Sequence, residues 1–339
     1  MHKVSVIIPN YNHASFLKDR IDSVLHQTFR DFEVIILDDC STDESRKIID
    51  QYREHEKITS VVYNTQNSGG VFKQWVKGIG LAKGKYVWIA ESDDYASEYF
   101  LAETVAQLEK NDCLGMVFTG ATVINEENQV LRHSPKLESE ILTSLHSAGN
   151  IIDRSNISQF LVADMVIENA SGVLFRNDAL QRVNLQELMN FRNTGDRFTY
   201  VGIALQTAIL YLPKSLNFIR THNNNTTKKN IENGAIHADR LRVLSYYGPQ
   251  LYNNILNRES ANRFYKNNYL HFLNWGSYNE HRSLLPILRR QKGISLLSYS
   301  AIKGYLRLLE KNGRRSGIVR SVFYRTLLFI NSFDKDYQQ

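Results

Sequence analysis

Three carboxylates crowd the end of an apolar run in VWIAESDDY, residues 87–95: Glu91, Asp93 and Asp94. Like charges at that spacing repel, so the cluster is costly unless a cation or hydrogen-bond donors compensate it. A hard divalent ion does this well, because Mg2+ takes one or two carboxylates and fills its shell with substrate phosphate oxygens. A solvated turn whose Asp and Ser cap the following helix is the plainer alternative. Two further polar clusters weigh against it. LDDCSTDES (37–45) ends an apolar run in Asp38 and Asp39, where a carboxylate can accept from a nucleobase N–H or from ribose hydroxyls. Ser41, Thr42 or Asp43 there also suit helix capping. PNYN (9–12) offers a rigid turn, an aromatic face and amide groups. PNYNHASF contains no glycine, which argues against a dinucleotide-binding turn and a P-loop. Phosphate charge must then be met by a metal and by Lys73, unless Lys73 is simply a surface lysine.

The elements that would position these clusters follow from periodicity. KVSVIIP (3–9), FEVIILDD (32–39), ITSVVYN (58–64) and KYVWIA (85–90) read as strands, the first two buried on both faces. SFLKDRIDSVLHQT (15–28) carries an apolar stripe at helical spacing. STDESRKIIDQYREH (41–55) reads as a helix with Ser41 as N-cap and Glu44 three residues on, and GGVFKQWVKGIGLAKG (69–84) as a helix closed by glycine. Strand and helix alternating at this spacing give βαβ units, a mainly parallel sheet, and a ligand crevice beyond the carboxyl ends of the strands. PNYN, LDD and ESDD should all face it.

Beyond residue 95 the pattern is mixed. A helix is expected over 97–111, a strand over 114–125, a variable connection over 126–150 and a helix over 157–165. ASGVLFRNDAL (170–180) reads as a strand leading into a turn or helix. A helix is expected over 195–210, starting near Asp196, then a strand and exit loop over 217–225 and further helices from about 232. Cys40 and Cys113 form no CxxC pair and suit packing roles in a reducing cytoplasm. The start of the chain lacks a signal-peptide apolar region, and no run approaches the roughly 18–20 apolar residues of a membrane-spanning helix. The expected location is the cytoplasm. The net charge of +6 is uneven: from His281 onward there are twelve Lys and Arg against three Asp and Glu.

Taken together, VSVIIPNYNHASFLKDRIDSVLHQTFRDFEVIILDDCSTDES, NSGGVFKQWVKGIGLAKGKYVWIAESDDY, SGVLFRNDAL, GDRFTYVGIAL and LNFIRTHNNN resemble the inverting glycosyltransferase family 2, over about residues 3–225. The resemblance implies an α/β, GT-A fold with helices flanking the central sheet and a catalytic domain over 1–230; the basic helical C-terminal extension over 231–339 is read from its own charge and periodicity, outside the resemblance. The resemblance also implies metal-dependent transfer from a nucleotide-sugar donor, UDP-linked in the first instance, to a hydroxyl of a glycan or lipid-linked acceptor in bacterial surface polysaccharide synthesis. Pro9, Tyr11 and Asp39 fall where the family holds the nucleobase and ribose. ESD takes the place of the family's Asp-x-Asp motif, with Asp93 the direct ligand of Mg2+ or Mn2+ and Glu91 near the ribose or the hydration shell of the metal. Asp196 matches the general base, and His222 the late histidine that approaches metal or diphosphate. The sequence departs from the pattern at Glu91, at Trp75 and Val76 where Arg-Asn is common, and at GDR in place of a Glu-Asp pair.

Residues 282–325 interleave Arg and Lys with apolar residues, a pattern that suits either an anionic membrane surface or a helical cap on the catalytic domain. Nucleic acid is not an expected partner, because no reading module is present. A non-catalytic sugar-nucleotide or glycan-binding protein is the competing reading. Such a protein would be expected to lose either Asp93 or Asp196, and this chain retains both.

Overall fold

VSVIIPN forms β1 (Val4–Asn10) and FEVIILD forms β2 (Phe32–Asp38), every residue of both buried. Strands buried on both faces in this way are stable only between two helical layers. Between them lies α1 (Ala14–Leu25), which buries Leu17, Ile21 and Val24. α2 (Ser45–Tyr52), β3 (Ile58–Tyr63), α3 (Val71–Leu81) and β4 (Tyr86–Ile89) complete the alternating half. β3, β2, β1 and β4 are neighbours in that order and all parallel. Asn10 lies opposite Asp38 and Ile7 opposite Ile89, so the polar ends of β1, β2 and β4 emerge along one edge. α3 approaches that sheet closely: a Cβ at Gly78 would lie 2.4 Å from Ile7 Cγ2.

The second half is β5 (Tyr95–Ala96), α4 (Phe100–Lys110), β6 (Leu114–Ile124), β7 (Val130–Ser134), α5 (Ser139–Ser147) and β8 (Ile151–Ile152), then a 3-10 turn, Ala170–Gly172. β9 (Val173–Arg176), α6 (Asn177–Gln181), α7 (Leu185–Leu188), α8 (Gly195–Ala204) and β10 (Ala208–Arg220) follow. β9 inserts antiparallel between β4 and β6, and β10 runs parallel to β6 and antiparallel to β5 and β8. The sheet order is β3-β2-β1-β4-β9-β6-β10-β5, with β7 on β6 and β8 on β10. Val6, Ile8, Val34, Ile36, Trp88, Phe100 and Leu174 are among the residues of the apolar core on one face.

This computed structural model describes residues 2–134, 139–157, 161 and 166–222, and isolated positions from 236 to 250. Most of the helix expected over 157–165, the exit loop 223–225 and the C-terminal segments, 282–325 included, lie outside the described residues. The chain divides into the units Met1–Asn225 and Thr226–Gln339, and the first contains every candidate residue named above.

Five expectations differ from the structure. The helix expected over 69–84 and closed by glycine ends at Leu81 with Ala82 as its C-cap. The helix expected over 41–55 begins only at Ser45, and Ser41 does not cap it. Ser41 Oγ instead accepts from Asn10 Nδ2 (3.1 Å) and from the Asn12 backbone N–H (3.0 Å), while Asp43 receives the Ser45 N–H. The helix expected over 195–210 stops at Ala204, because Ala208–Leu210 find hydrogen-bonding partners on β6 and Ile209 and Leu210 also pair with β8. A short apolar run suits either period, and here the ladder decides. Residues 126–150 include β7 and α5 rather than only a connection. Cys113 is exposed rather than packed in the core.

Candidate active site

The turns after β1 and β2 are laced together. Asn10 Nδ2 donates to Asp38 Oδ2 (3.1 Å), and Thr42 N–H donates to Asn12 Oδ1 (2.8 Å). Asn12 and Cys40 take left-handed backbone conformations, with φ of 56° and 65°, which aim the turns inward. Pro9 is buried in the sheet, and the Tyr11 ring stands 46% exposed beyond it. Asp38 accepts from Ser41 N–H (3.1 Å) and Arg46 Nε (2.8 Å) and is wholly buried, so it braces the turn. Asp39 accepts from Asn64 Nδ2 (2.7 Å), Gln74 Nε2 (2.9 Å), Ser68 N–H (2.9 Å) and Ser68 Oγ (2.7 Å). It thereby ties the loop before α3 to the end of β2. Lys73 is exposed in the first turn of α3 and donates to the Ser68 carbonyl (2.8 Å).

The acidic turn after β4 separates its three carboxylates into three environments. Glu91 accepts from the Trp75 indole N–H (2.9 Å). Burial and then the Asp93 charge push its pKa up to about 8, against the pull of that bond. Asp94 is buried, receives Asn169 Nδ2 (2.5 Å) and the Arg220 backbone N–H (3.0 Å), and has its pKa raised by burial and by Asp93. Asp93 differs. Burial opposes its ionisation, but the hydrogen bond from His222, with the charges of His13 and His222, outweighs that and holds its pKa below the ordinary value. His222 Nε2 lies 3.2 Å from Asp93 Oδ2, and its own pKa is raised, chiefly by that bond.

Two arginines hold the turn. Arg20, fully buried on the apolar stripe of α1, donates Nε to the Glu91 carbonyl (2.8 Å) and places Nη2 3.9 Å from Asp94 Oδ2. Burial lowers its pKa to about 10, with Asp94, Asp93 and Glu91 opposing, so it stays protonated at neutral pH. Arg220, at the end of β10, donates Nε to the Asp93 carbonyl (3.1 Å) and Nη2 to Asp19 Oδ2 (3.1 Å). These contacts offset a crowding that neighbours in sequence could not relieve.

Asp196 lies in the first turn of α8, where Oδ1 accepts the Arg197 N–H (2.7 Å). Tyr200, one turn on, is fully buried, and its hydroxyl has no hydrogen-bond partner among the described residues. Its pKa is raised well above normal by burial and then by the charges of Asp196 and Glu91.

The candidates thus fall into linked groups. Pro9, Tyr11 and Asp39 lie at the ends of β1 and β2 with Lys73 in the first turn of α3, Asp93 meets His222, and the charges of Asp196 and Glu91 both act on Tyr200. Among the described residues one group could hold a metal ion: His13, Asp93 and His222, whose ligand atoms all lie within 4.8 Å of one another. Glu91 is not in it. Sequence reasoning missed His13, Arg20 and Arg220. Arg20 had a signal, a charge on the buried stripe of α1 between Leu17, Ile21 and Val24. For Arg220 no sequence signal exists, since its partners are up to 201 positions away.

Residues 5–183 match the family model described as "Glycosyl transferase family 2". An uncharacterized glycosyltransferase of Nostoc sp. is 28% identical over 228 residues, 66% of each chain. The poly(ribitol-phosphate) beta-N-acetylglucosaminyltransferase TarS of Staphylococcus aureus is 34% identical over 113 residues, 33% of this chain and 20% of TarS. The match therefore spans less than two thirds of the length of these curated relatives. Among solved structures, S. aureus TarS residues 1–349 with UDP-GlcNAc superposes with a TM-score of 0.65 at 19% identity, covering 96% of this chain and 90% of that one. The mannosyltransferase PcManGT of Pyrobaculum calidifontis, with GDP-Man and Mn2+, gives 0.51 at 16% identity, covering 99% and 88%. At these identities the likeness concerns the fold, which is the GT-A α/β architecture.

Proposed function

The chain belongs to glycosyl transferase family 2, and we propose that residues 1–230 catalyse metal-dependent, inverting transfer of a sugar from a nucleotide-sugar donor to a hydroxyl of a glycan or lipid-linked acceptor. The work would be assembly of a bacterial surface polysaccharide, as the name of the relative TarS suggests. A uridine nucleotide is the first donor to test. The observation that carries the reading is the meeting of Asp93 and His222, 3.2 Å apart, at the sheet edge that also bears Asp39.

The donor set fits a divalent ion: one ionised carboxylate beside imidazole suits Mn2+, and a carboxylate with phosphate oxygens suits Mg2+. Such an ion, held by Asp93 and His222, supplies charge neutralisation for the departing nucleoside diphosphate. The protein supplies the rest. Asp39 holds the loop that leads to Lys73, and Pro9 and Tyr11 form the wall for the base. Lys73 adds positive charge next to the phosphates. Asp196 takes the proton of the acceptor hydroxyl as it attacks the anomeric carbon from the face opposite the leaving group. One displacement inverts the anomeric centre. Residues 282–325 would bring the enzyme to an anionic membrane surface on the cytoplasmic side, tested by flotation of chains with and without 282–339.

The test is turnover of a panel of nucleotide sugars with Mn2+ or Mg2+, together with Asp93→Ala and Asp196→Asn. Both variants should keep the wild-type melting temperature and lose transfer by at least about a hundredfold. Turnover near wild type in either would remove that residue from its role. Donor binding without turnover, unaffected by Asp196→Asn, would favour a non-catalytic binding protein.

A further inference from the structure

We propose that His13 is a third protein ligand of the divalent ion, so that the protein holds the ion before the nucleotide arrives. This rests on the metal-dependent reading above. His13, Asp93 and His222 come from three separate elements, and one ligand atom of each lies within 4.8 Å of the others. Ion–ligand bonds of about 2.1 Å put opposite donors roughly 4.2 Å apart, so a contraction of a few tenths of an ångström brings all three onto one ion.

The His13 ring is oriented for that purpose. Its Nδ1 lies 2.8 Å from Ser92 Oγ, and Ser92 is 2% exposed. The tautomer in which Nδ1–H donates to the serine oxygen would leave Nε2 to take an ion. This is the outer hydrogen bond that fixes the tautomer of a metal-bound imidazole. Ser92 lies next to Asp93 in sequence, so the residue that orients one ligand is anchored to another. The rings of His13 and His222 meet edge to face with centroids 5.8 Å apart.

Local structure supplies an independent argument. His13 is the N-cap residue of α1, a position that favours Ser, Thr, Asp or Asn, and it makes no side-chain cap bond. The Phe16 N–H, which an N-cap side chain would accept, goes to the His13 carbonyl (2.9 Å), and the Ala14 N–H goes to Asp43 Oδ2 (2.9 Å), from a loop 29 positions away. The imidazole is turned to Ser92 instead. Where a local rule is broken and the break is compensated elsewhere, a functional site is the expected cause.

Two imidazoles and one carboxylate form a softer set than carboxylate and phosphate alone. They favour Mn2+ and later first-row ions over Mg2+. A site of one carboxylate and one imidazole would depend on the nucleotide for affinity, whereas three protein donors do not.

The test is MnCl2 titration of the purified full-length protein without nucleotide, followed by electron spin-echo envelope modulation for bound 14N. Wild type should bind Mn2+ with two distinct imidazole couplings, and a hundredfold excess of MgCl2 should not displace it. His13→Ala should lose one coupling and weaken Mn2+ binding at least about tenfold. The wild-type spectrum needs no variant, so misfolding of His13→Ala cannot hide the answer. A single imidazole coupling in wild type, or unchanged affinity in a folded His13→Ala, overturns the proposal. Mn2+ binding that requires added UDP and shows one imidazole also overturns it, while leaving the glycosyltransferase reading intact. No Mn2+ binding with or without UDP overturns both.

Discussion

Replacing Glu91 by glutamine should stabilise the protein, and the gain should grow with pH. The Glu91 carboxyl has an ordinary value of 4.5 and stands at about 8 in the fold, raised by burial and by Asp93. Below pH 4.5 both folded and unfolded chains hold the proton, so the group contributes nothing to pH dependence. Between 4.5 and 8 the unfolded chain releases it and the folded chain keeps it, so stability falls as pH rises. Above 8 the loss is complete. At about 1.36 kcal/mol per pH unit the ceiling is roughly 5 kcal/mol. Relaxation around the site lowers such ceilings, and a gain on the order of 2 kcal/mol at pH 8 is the working expectation. Glutamine is neutral throughout and can still accept from the Trp75 indole, so the substitution isolates the charge. Urea denaturation of both proteins in EDTA at pH 5, 6, 7, 8 and 9 measures it. The difference should be small at pH 5 and level off near pH 8. A difference that stays flat across the series, or shrinks with pH, would refute the reasoning.

Gly195→Ala tests the placement of Asp196: its Cβ would fall 2.7 Å from the Phe72 ring and 2.8 Å from Leu188 Cδ1. The overpacking should cost about 1–3 kcal/mol in denaturation, and kcat should fall more than donor KM rises; unchanged stability and kcat would contradict the packing. Asp39→Ala leaves the donors of Asn64, Ser68 and Gln74 without their acceptor. It should cost about 3 kcal/mol and weaken donor binding in a thermal-shift titration, and unaltered donor binding would show that the loop does not serve the donor. Glu109 has its pKa lowered to about 2, first by the Tyr86 hydroxyl and then by Lys85. Its contribution is present above pH 4.5 and lost as pH falls toward 2. Its side chain is 36% exposed, so after screening Glu109→Gln should cost about 0.5–1 kcal/mol at pH 6 and less at pH 2.5. An equal loss at both pH values would count against this.

The alternating half of the fold was legible because its strands are short runs rich in β-branched residues and its helices carry one apolar stripe. Even so, two periods compete in GDRFTYVGIALQTAIL, and the choice at Ala208 was made by partners on β6 and β8 that the segment does not contain. The same division governs the site. Residue types and local spacing were enough to bring the ends of β1, β2 and β4 to one edge and to mark Glu91, Asp93 and Asp94 as a cluster in need of compensation. Which donor compensates which carboxylate was not readable. Trp75 comes to Glu91 from 16 positions away, Arg20 approaches Asp94 from α1, and His222 meets Asp93 across 129 positions. Three acids alike in sequence acquire different proton affinities because burial and charge act through space. Sequence order carries only the nearest of those neighbours, and the tertiary structure supplies the others.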